Sequence, residues 1–147
     1  MTSSDLLRDQ AIDRFWETVP PLWNLVRSHI RATATGNFDI TVEQFHVLRY
    51  VRRGTDSMSE LATAKNISRP AISQAVDVLV KKGLLTRVHS TQDRRVVGLA
   101  LTEAGNSLLD TVFSDNREWM KARMSGLTAE ELETIAKAMV VMKKMME

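Results

Sequence analysis

The 147-residue chain contains no cysteine. That absence excludes disulfides, thiolate metal clusters, cysteine nucleophiles and thiol-based redox sensing together. Only three histidines occur, His29, His46 and His89, too few and too scattered for an all-histidine metal centre. No run approaches the roughly 18 uncharged apolar residues that span a bilayer. The first thirty residues carry Asp5, Arg8, Asp9, Asp13, Arg14 and Glu17, which leaves no apolar core for a signal peptide. A phosphate-cradling glycine loop, an H-E-x-x-H pair and a nucleophile elbow are also missing, so the sequence points away from catalysis. The expectation is a soluble cytoplasmic protein that needs no metal, cofactor or membrane.

What is present is unevenly distributed charge. The chain as a whole carries +2. Residues 49–101 hold ten lysines and arginines against four acids, a local charge of +6, and the remainder holds ten against fourteen, or −4. A basic middle between acidic ends is the footprint of a lobe that meets a polyanion.

Helix signals dominate the chain. Pro20-Pro21 fits the first turn of a helix better than its interior. The pattern therefore predicts an amphipathic segment over 6–18 and a second helix over 20–35, striped by Leu22, Trp23, Val26 and Ile30 and ended by Gly36-Asn37. Thr41-Val42-Glu43-Gln44 reads as a capping box for a helix with Phe45, Leu48 and Val51 buried, and Gly54 closes it. Ser57-Met58-Ser59-Glu60 reads as another capping box and opens a short helix ended by Asn66-Ile67. Ser68 then caps a helix that tolerates Pro70 in its first turn and ends at Lys81-Lys82-Gly83.

From there the period changes. Residues 84–88 are β-prone, 89–94 are polar and 95–101 alternate, which predicts a hairpin with a basic tip. Thr102 caps a long helix, and Thr128-Ala129-Glu130-Glu131 caps the last one, striped by Leu132, Ile135, Met139, Met142 and Met146.

Two short helices joined by a tight turn, followed by a basic hairpin, make a winged helix-turn-helix. The first helix braces the second through Leu61, Ala62, Ile67 and Ile72. Burial of Ile72, Val76 and Leu79 turns Arg69, Pro70, Ser73, Gln74 and Asp77 outward. Ser68, Arg69, Pro70, Ser73 and Gln74 lie in the first two turns, the part of such a helix that meets base edges in a major groove. Glutamine suits adenine and arginine suits guanine. Each residue alone is equally what a solvated helix surface looks like; the combination with brace, wing and charge is what distinguishes the two.

The segment Asp93-Arg94-Arg95-Val96-Val97-Gly98-Leu99-Ala100-Leu101-Thr102-Glu103-Ala104-Gly105 resembles the D-x-R-x-x-x-L-x-L-T-x-x-G wing-to-helix pattern of the multiple-antibiotic-resistance regulator (MarR) family. Leu61-Ala62, Ser73, Leu79, Gly83-Leu84 and Arg87 also stand where that family places such residues. The resemblance is specific over about residues 45–105. It implies a mainly α fold with a small β-hairpin wing, in which a winged helix-turn-helix lobe (41–101) joins a helical dimerisation lobe (1–35 and 102–147). It implies that Arg95 enters a minor groove, oriented by Asp93, while Arg87 and Arg94 meet phosphates. Alternate residues share a strand face, so Asp93 beside Arg95 is consistent with that role.

The resemblance further implies a homodimer on double-stranded DNA, released by a small aromatic or anionic effector between the two lobes. Trp23, Arg27, His46, Arg49 and Tyr50 are the candidate effector contacts; packing residues and phosphate-side arginines are the competing reading of the same five. A second functional class stays open on the residues alone: a winged-helix module that holds a protein partner and reads no DNA sequence.

Overall fold

In the computed structural model, which describes residues 2–89 and 97–147, the chain opens with one 36-residue helix, α1 (Ser3–Phe38). The break expected at Pro20-Pro21 does not occur: both prolines sit inside α1. Two prolines remove two amide donors, whereas ending one helix and starting another strands four carbonyls and four amides. The carbonyls that lose their partners belong to Trp16 and Glu17, both exposed, so water can satisfy them. The helix also starts earlier than the apolar pattern suggests. Thr2 accepts from the Asp5 amide at 3.2 Å while the Asp5 carboxylate accepts from the Thr2 amide at 2.9 Å, a capping box built with aspartate in place of glutamate. At the other end Gly36 remains helical, and the left-handed turn falls instead on Asp39, at φ 52°. The buried Ile40 then anchors the chain immediately after that turn.

The remaining helices follow the sequence closely: α2 (Val42–Arg52), α3 (Met58–Lys65), α4 (Arg69–Lys81), α5 (Glu103–Met124) and α6 (Ala129–Lys143), with a 3-10 turn at Lys144–Met146. The capping boxes at Thr41–Gln44 and Thr128–Glu131 are both complete. At Ser57 only half of the expected box forms, Ser57 accepting from the Glu60 amide at 3.1 Å. Strands β1 (Leu85–His89) and β2 (Val97–Leu101) pair antiparallel, with Leu85 opposite Leu101 and His89 opposite Val97. One pairing had no sequence signal. Ser57 bridges Gly98, and the Leu99 amide donates to the Asp56 carbonyl at 2.8 Å, which ties the loop before α3 to the wing.

Two compact units divide the chain, residues 1–113 and 114–147. The first holds the core: Ile30 and Ala34 of α1, Phe45 and Leu48 of α2, Leu61, Ile72, Val76, Leu79, Leu85 and Leu99, closed by Leu108, Leu109 and Val112 of α5. In the second, α6 buries none of its residues. Met120, Met124, Leu127 and Leu132 line a groove of about 680 Å³ in that unit. Among the described residues no helix is long and apolar enough to cross a membrane.

Candidate nucleic-acid interface and the cavity beside it

The helix-turn-helix is assembled by local chemistry. Asn66 takes the left-handed conformation, φ 52°, that turns the chain out of α3, and asparagine reaches that region more readily than most residues. The Ile67 amide returns to the Ala62 carbonyl at 3.1 Å. Ser68 then accepts from the Ala71 amide at 3.3 Å, and Pro70 occupies the first turn of α4, where its missing donor costs nothing. Ile72, Val76 and Leu79 are fully enclosed, and this fixes which side of α4 faces outward. Ser68, Arg69, Pro70, Gln74 and Asp77 are exposed there together, while Ser73 is half-buried.

The wing arginine on β1 has a specific neighbour. The Arg87 guanidinium donates to the Asp77 carboxylate of α4. The pair links the wing to the outward face of α4 and neutralises Asp77, an acid on a surface otherwise suited to a polyanion. Asp93, Arg94 and Arg95 lie outside the described residues.

Four of the five predicted effector contacts line one cavity. Trp23 of α1 and His46, Arg49 and Tyr50 of α2 surround a space of about 300 Å³ together with Arg53 and Lys65. Arg27 does not join them. It faces a separate hollow with Arg31, Thr35 and Thr41, and its guanidinium lies 3.6 Å from Glu43. Sequence reasoning missed Arg53 and Lys65. Arg53 was findable, four residues beyond Arg49 and one turn along the same side. Lys65 was not, because it arrives from the end of another helix.

The cavity is cationic, and its histidine stays uncharged near neutrality. Burial, followed by the neighbouring Lys65 and Arg49 charges, pushes His46 down to about 4. Arg49 Nη1 approaches the neutral His46 Nδ1 at 3.5 Å. Burial also lowers Arg49, whose Nε is enclosed with no hydrogen-bond partner and whose guanidinium carbon lies 5.5 Å from the Phe113 ring centre. Glu43 is held below the ordinary carboxylate range by its hydrogen bond from Lys65, at 2.8 Å. Among the described residues no group of three histidines, cysteines or acids is placed to hold a metal.

The His46 value carries a stability consequence. In the unfolded chain the imidazole protonates near 6.5, and in the folded chain only near 4. The unfolded state therefore binds the extra proton first, and this contribution is complete above pH 6.5 and is lost as the pH falls toward 4. It amounts to at most about 3 kcal/mol, reduced by solvent screening at a half-buried position. Between pH 7 and 5, urea midpoints of the wild type should drop more steeply than those of His46→Gln; Glu43 contributes only at lower pH. Parallel slopes would show that His46 does not titrate as described.

A family model described as MarR family matches residues 38–96. The HTH-type transcriptional repressor MdtR of Bacillus subtilis (strain 168) is 33% identical over 94 residues, which are 63% of this chain and 61% of that protein. The chain thus matches about three fifths of that relative's length. An uncharacterized HTH-type transcriptional regulator of the same organism, YpoP, is 30% identical over 98 residues, 66% of this chain and 70% of YpoP. In fold, the chain is similar to a MarR family protein from Bacillus stearothermophilus, with a TM-score of 0.82 at 19% identity, covering 94% and 96% of the two chains. It is also similar to Streptococcus pneumoniae FabT, solved in complex with DNA, with a TM-score of 0.76 at 21% identity over 92% and 96%.

Proposed function

Since this chain belongs to the MarR family, we propose that it is a transcriptional regulator that binds double-stranded DNA sequence-specifically as a homodimer. It acts in the cytoplasm, represses from a pseudopalindromic operator, and releases that operator when a small anionic aromatic effector binds. Residues 41–101 form the reading lobe in this proposal, and residues 1–35 and 102–147 form the dimerisation lobe. The observation that carries the DNA reading is the outward N-terminal end of α4. There Arg69 and Gln74 stand exposed beside the Ser68 cap, on a helix whose opposite face is locked into the core. Such an exposed end, rich in donors, suits base edges and phosphates.

Dimerisation is supported by exposed apolar surface. Trp16 of α1 is 67% exposed, Val140 of α6 equally so, and Met145 and Met146 still more. Surface of that kind calls for a covering partner, and a second copy provides one. A two-fold dimer places its half-sites about one helical turn apart, roughly 10 base pairs. The effector reading is supported by the cavity of Trp23, Tyr50, Arg49, Arg53 and Lys65, which offers aromatic walls and cationic heads to a planar carboxylate.

Selection of bound duplexes from random DNA, at a stated near-physiological ionic strength, tests the reading. A two-fold-symmetric motif is the expected result. Salt-sensitive retention with no motif would sink it and favour the protein-binding module. The Asp77–Arg87 pair makes a second, sharper expectation on the selected site. Arg87→Ala should weaken binding to all sequences, because it removes a cation and leaves the Asp77 carboxylate facing phosphates. The double variant with Asp77→Asn should recover part of that loss in the same gel-shift titration; equal losses in single and double variants would contradict the pairing.

A further inference from the structure

We propose that Lys65 is the residue through which an anion in the cavity reports to the recognition helix, by exchanging Glu43 for the bound anion. The inference rests on the effector reading above and specifies its regulation.

Lys65 stands at a junction. Its side chain lines the cavity with Arg49 and Arg53, and its ammonium is bonded to Glu43 at 2.8 Å. Only 13% of that side chain is exposed, the least of any basic group among the described ion pairs. A cation so enclosed must keep an anionic partner, since an unpaired buried charge is costly. Glu43 has no such need. It is half-exposed, retains Arg27 at 3.6 Å, and sits in the first turn of α2, where the helix dipole favours a carboxylate. An anion entering the cavity therefore finds a lysine that requires a partner, held by a glutamate that can release it.

The exchange reaches α4 because of where Lys65 lies in the chain. It is the last residue of α3, and only Asn66, Ile67 and the Ser68 cap separate it from Arg69. Drawing Lys65 toward the cavity loads the turn whose hydrogen bonds, Asn66 to Thr63 and Ile67 to Ala62, set the departure of α4. A ligand can shift DNA affinity only through contacts that differ between the two states. The Lys65–Glu43 bond is such a contact, made without the anion and broken with it.

The test uses the full chain, the selected operator, and benzoate and 1-naphthoate as probes. In the wild type the probes should lower operator affinity by a factor within the ordinary allosteric range, about 5- to 150-fold. Glu43→Gln should bind the probes several-fold tighter, because Lys65 is no longer shared, and should bind operator several-fold more weakly with no probe present. Simple charge predicts the opposite sign for DNA, since removing an acid strengthens attraction to phosphate. Lys65→Gln should still bind the probes through Arg49 and Arg53, more weakly, and at saturation they should no longer change operator affinity. Lys65→Met, which keeps the aliphatic stem, repeats that measurement against loss of packing.

If Glu43→Gln binds operator as well as wild type, or both Lys65 variants keep the wild-type release factor, the exchange is wrong and the effector reading stands. If neither probe binds the wild type at millimolar concentration, the effector reading fails and takes the exchange with it.

Discussion

Gly105→Ala should cost about 3 kcal/mol of stability, although alanine is the better helix former by about 1 kcal/mol. A Cβ at position 105 would lie 2.2 Å from the Leu84 carbonyl oxygen and 3.1 Å from Leu101 Cδ2. Overpacking of a core usually costs about 1–3 kcal/mol, and here the obstruction is backbone that cannot rotate away. The Leu84 carbonyl is also committed, accepting from the Thr102 amide at 3.2 Å, while the Thr102 hydroxyl donates to the Gly83 carbonyl at 2.6 Å and accepts from the Gly105 amide at 3.0 Å. These bonds join the end of α4, the start of β1 and the start of α5 at one point. Relief of the clash must pull that point apart. Gly36→Ala is the internal comparison: it lies within α1 with nothing inside 4 Å of its Cβ position, and should be neutral or stabilising by up to about 1 kcal/mol. Urea unfolding of both variants checks the contrast, and a Gly105→Ala midpoint equal to wild type would refute the close approach.

The same junction shows what sequence can and cannot say. Leu101-Thr102 followed by Gly105 is visible as a family pattern, yet its reason, a carbonyl 2.2 Å from a missing Cβ, exists only once α5 is laid against Leu84. Signals that act within one turn were legible in advance. Thr41, Ser68 and Thr128 cap as expected because an N-cap needs only its own next three residues. The outward face of α4 was legible for a similar reason, since Ile72, Val76 and Leu79 repeat at helical spacing. Pro20-Pro21 misled because the local penalty is real and the alternative, two extra helix ends, is not visible in a window of four residues. The Ser57–Gly98 bridge and the place of Lys65 in the cavity of Trp23 and Tyr50 were illegible altogether, because each joins segments whose meeting is decided by tertiary packing. The cavity residues His46, Arg49 and Tyr50 could be named together because they lie within two turns of one helix, whereas Lys65 comes from another.

Substitution of Arg69 and Gln74 together should abolish discrimination at the bases they face, lowering operator preference by about 2–6 kcal/mol if each makes a bidentate contact worth about 1–3 kcal/mol. The two single variants should differ in kind. Gln74→Ala carries no charge change, so its loss should be confined to particular base pairs, with an unaltered dependence on salt. Arg69→Ala removes a cation from the exposed first turn of α4; it should weaken every duplex somewhat and the selected motif most, with a shallower salt slope. Neither side chain supports the core, whose α4 contribution comes from Ile72, Val76 and Leu79, so unfolding midpoints should stay within about 0.5 kcal/mol of wild type. Binding measured across single-base variants of the operator separates these outcomes. A uniform loss for both variants would place α4 on the phosphate backbone and move base recognition to another part of the lobe. A loss of motif preference in Gln74→Ala at constant salt slope would fix the first turns of α4 as the reader, with the Asp77–Arg87 pair holding the wing beside it.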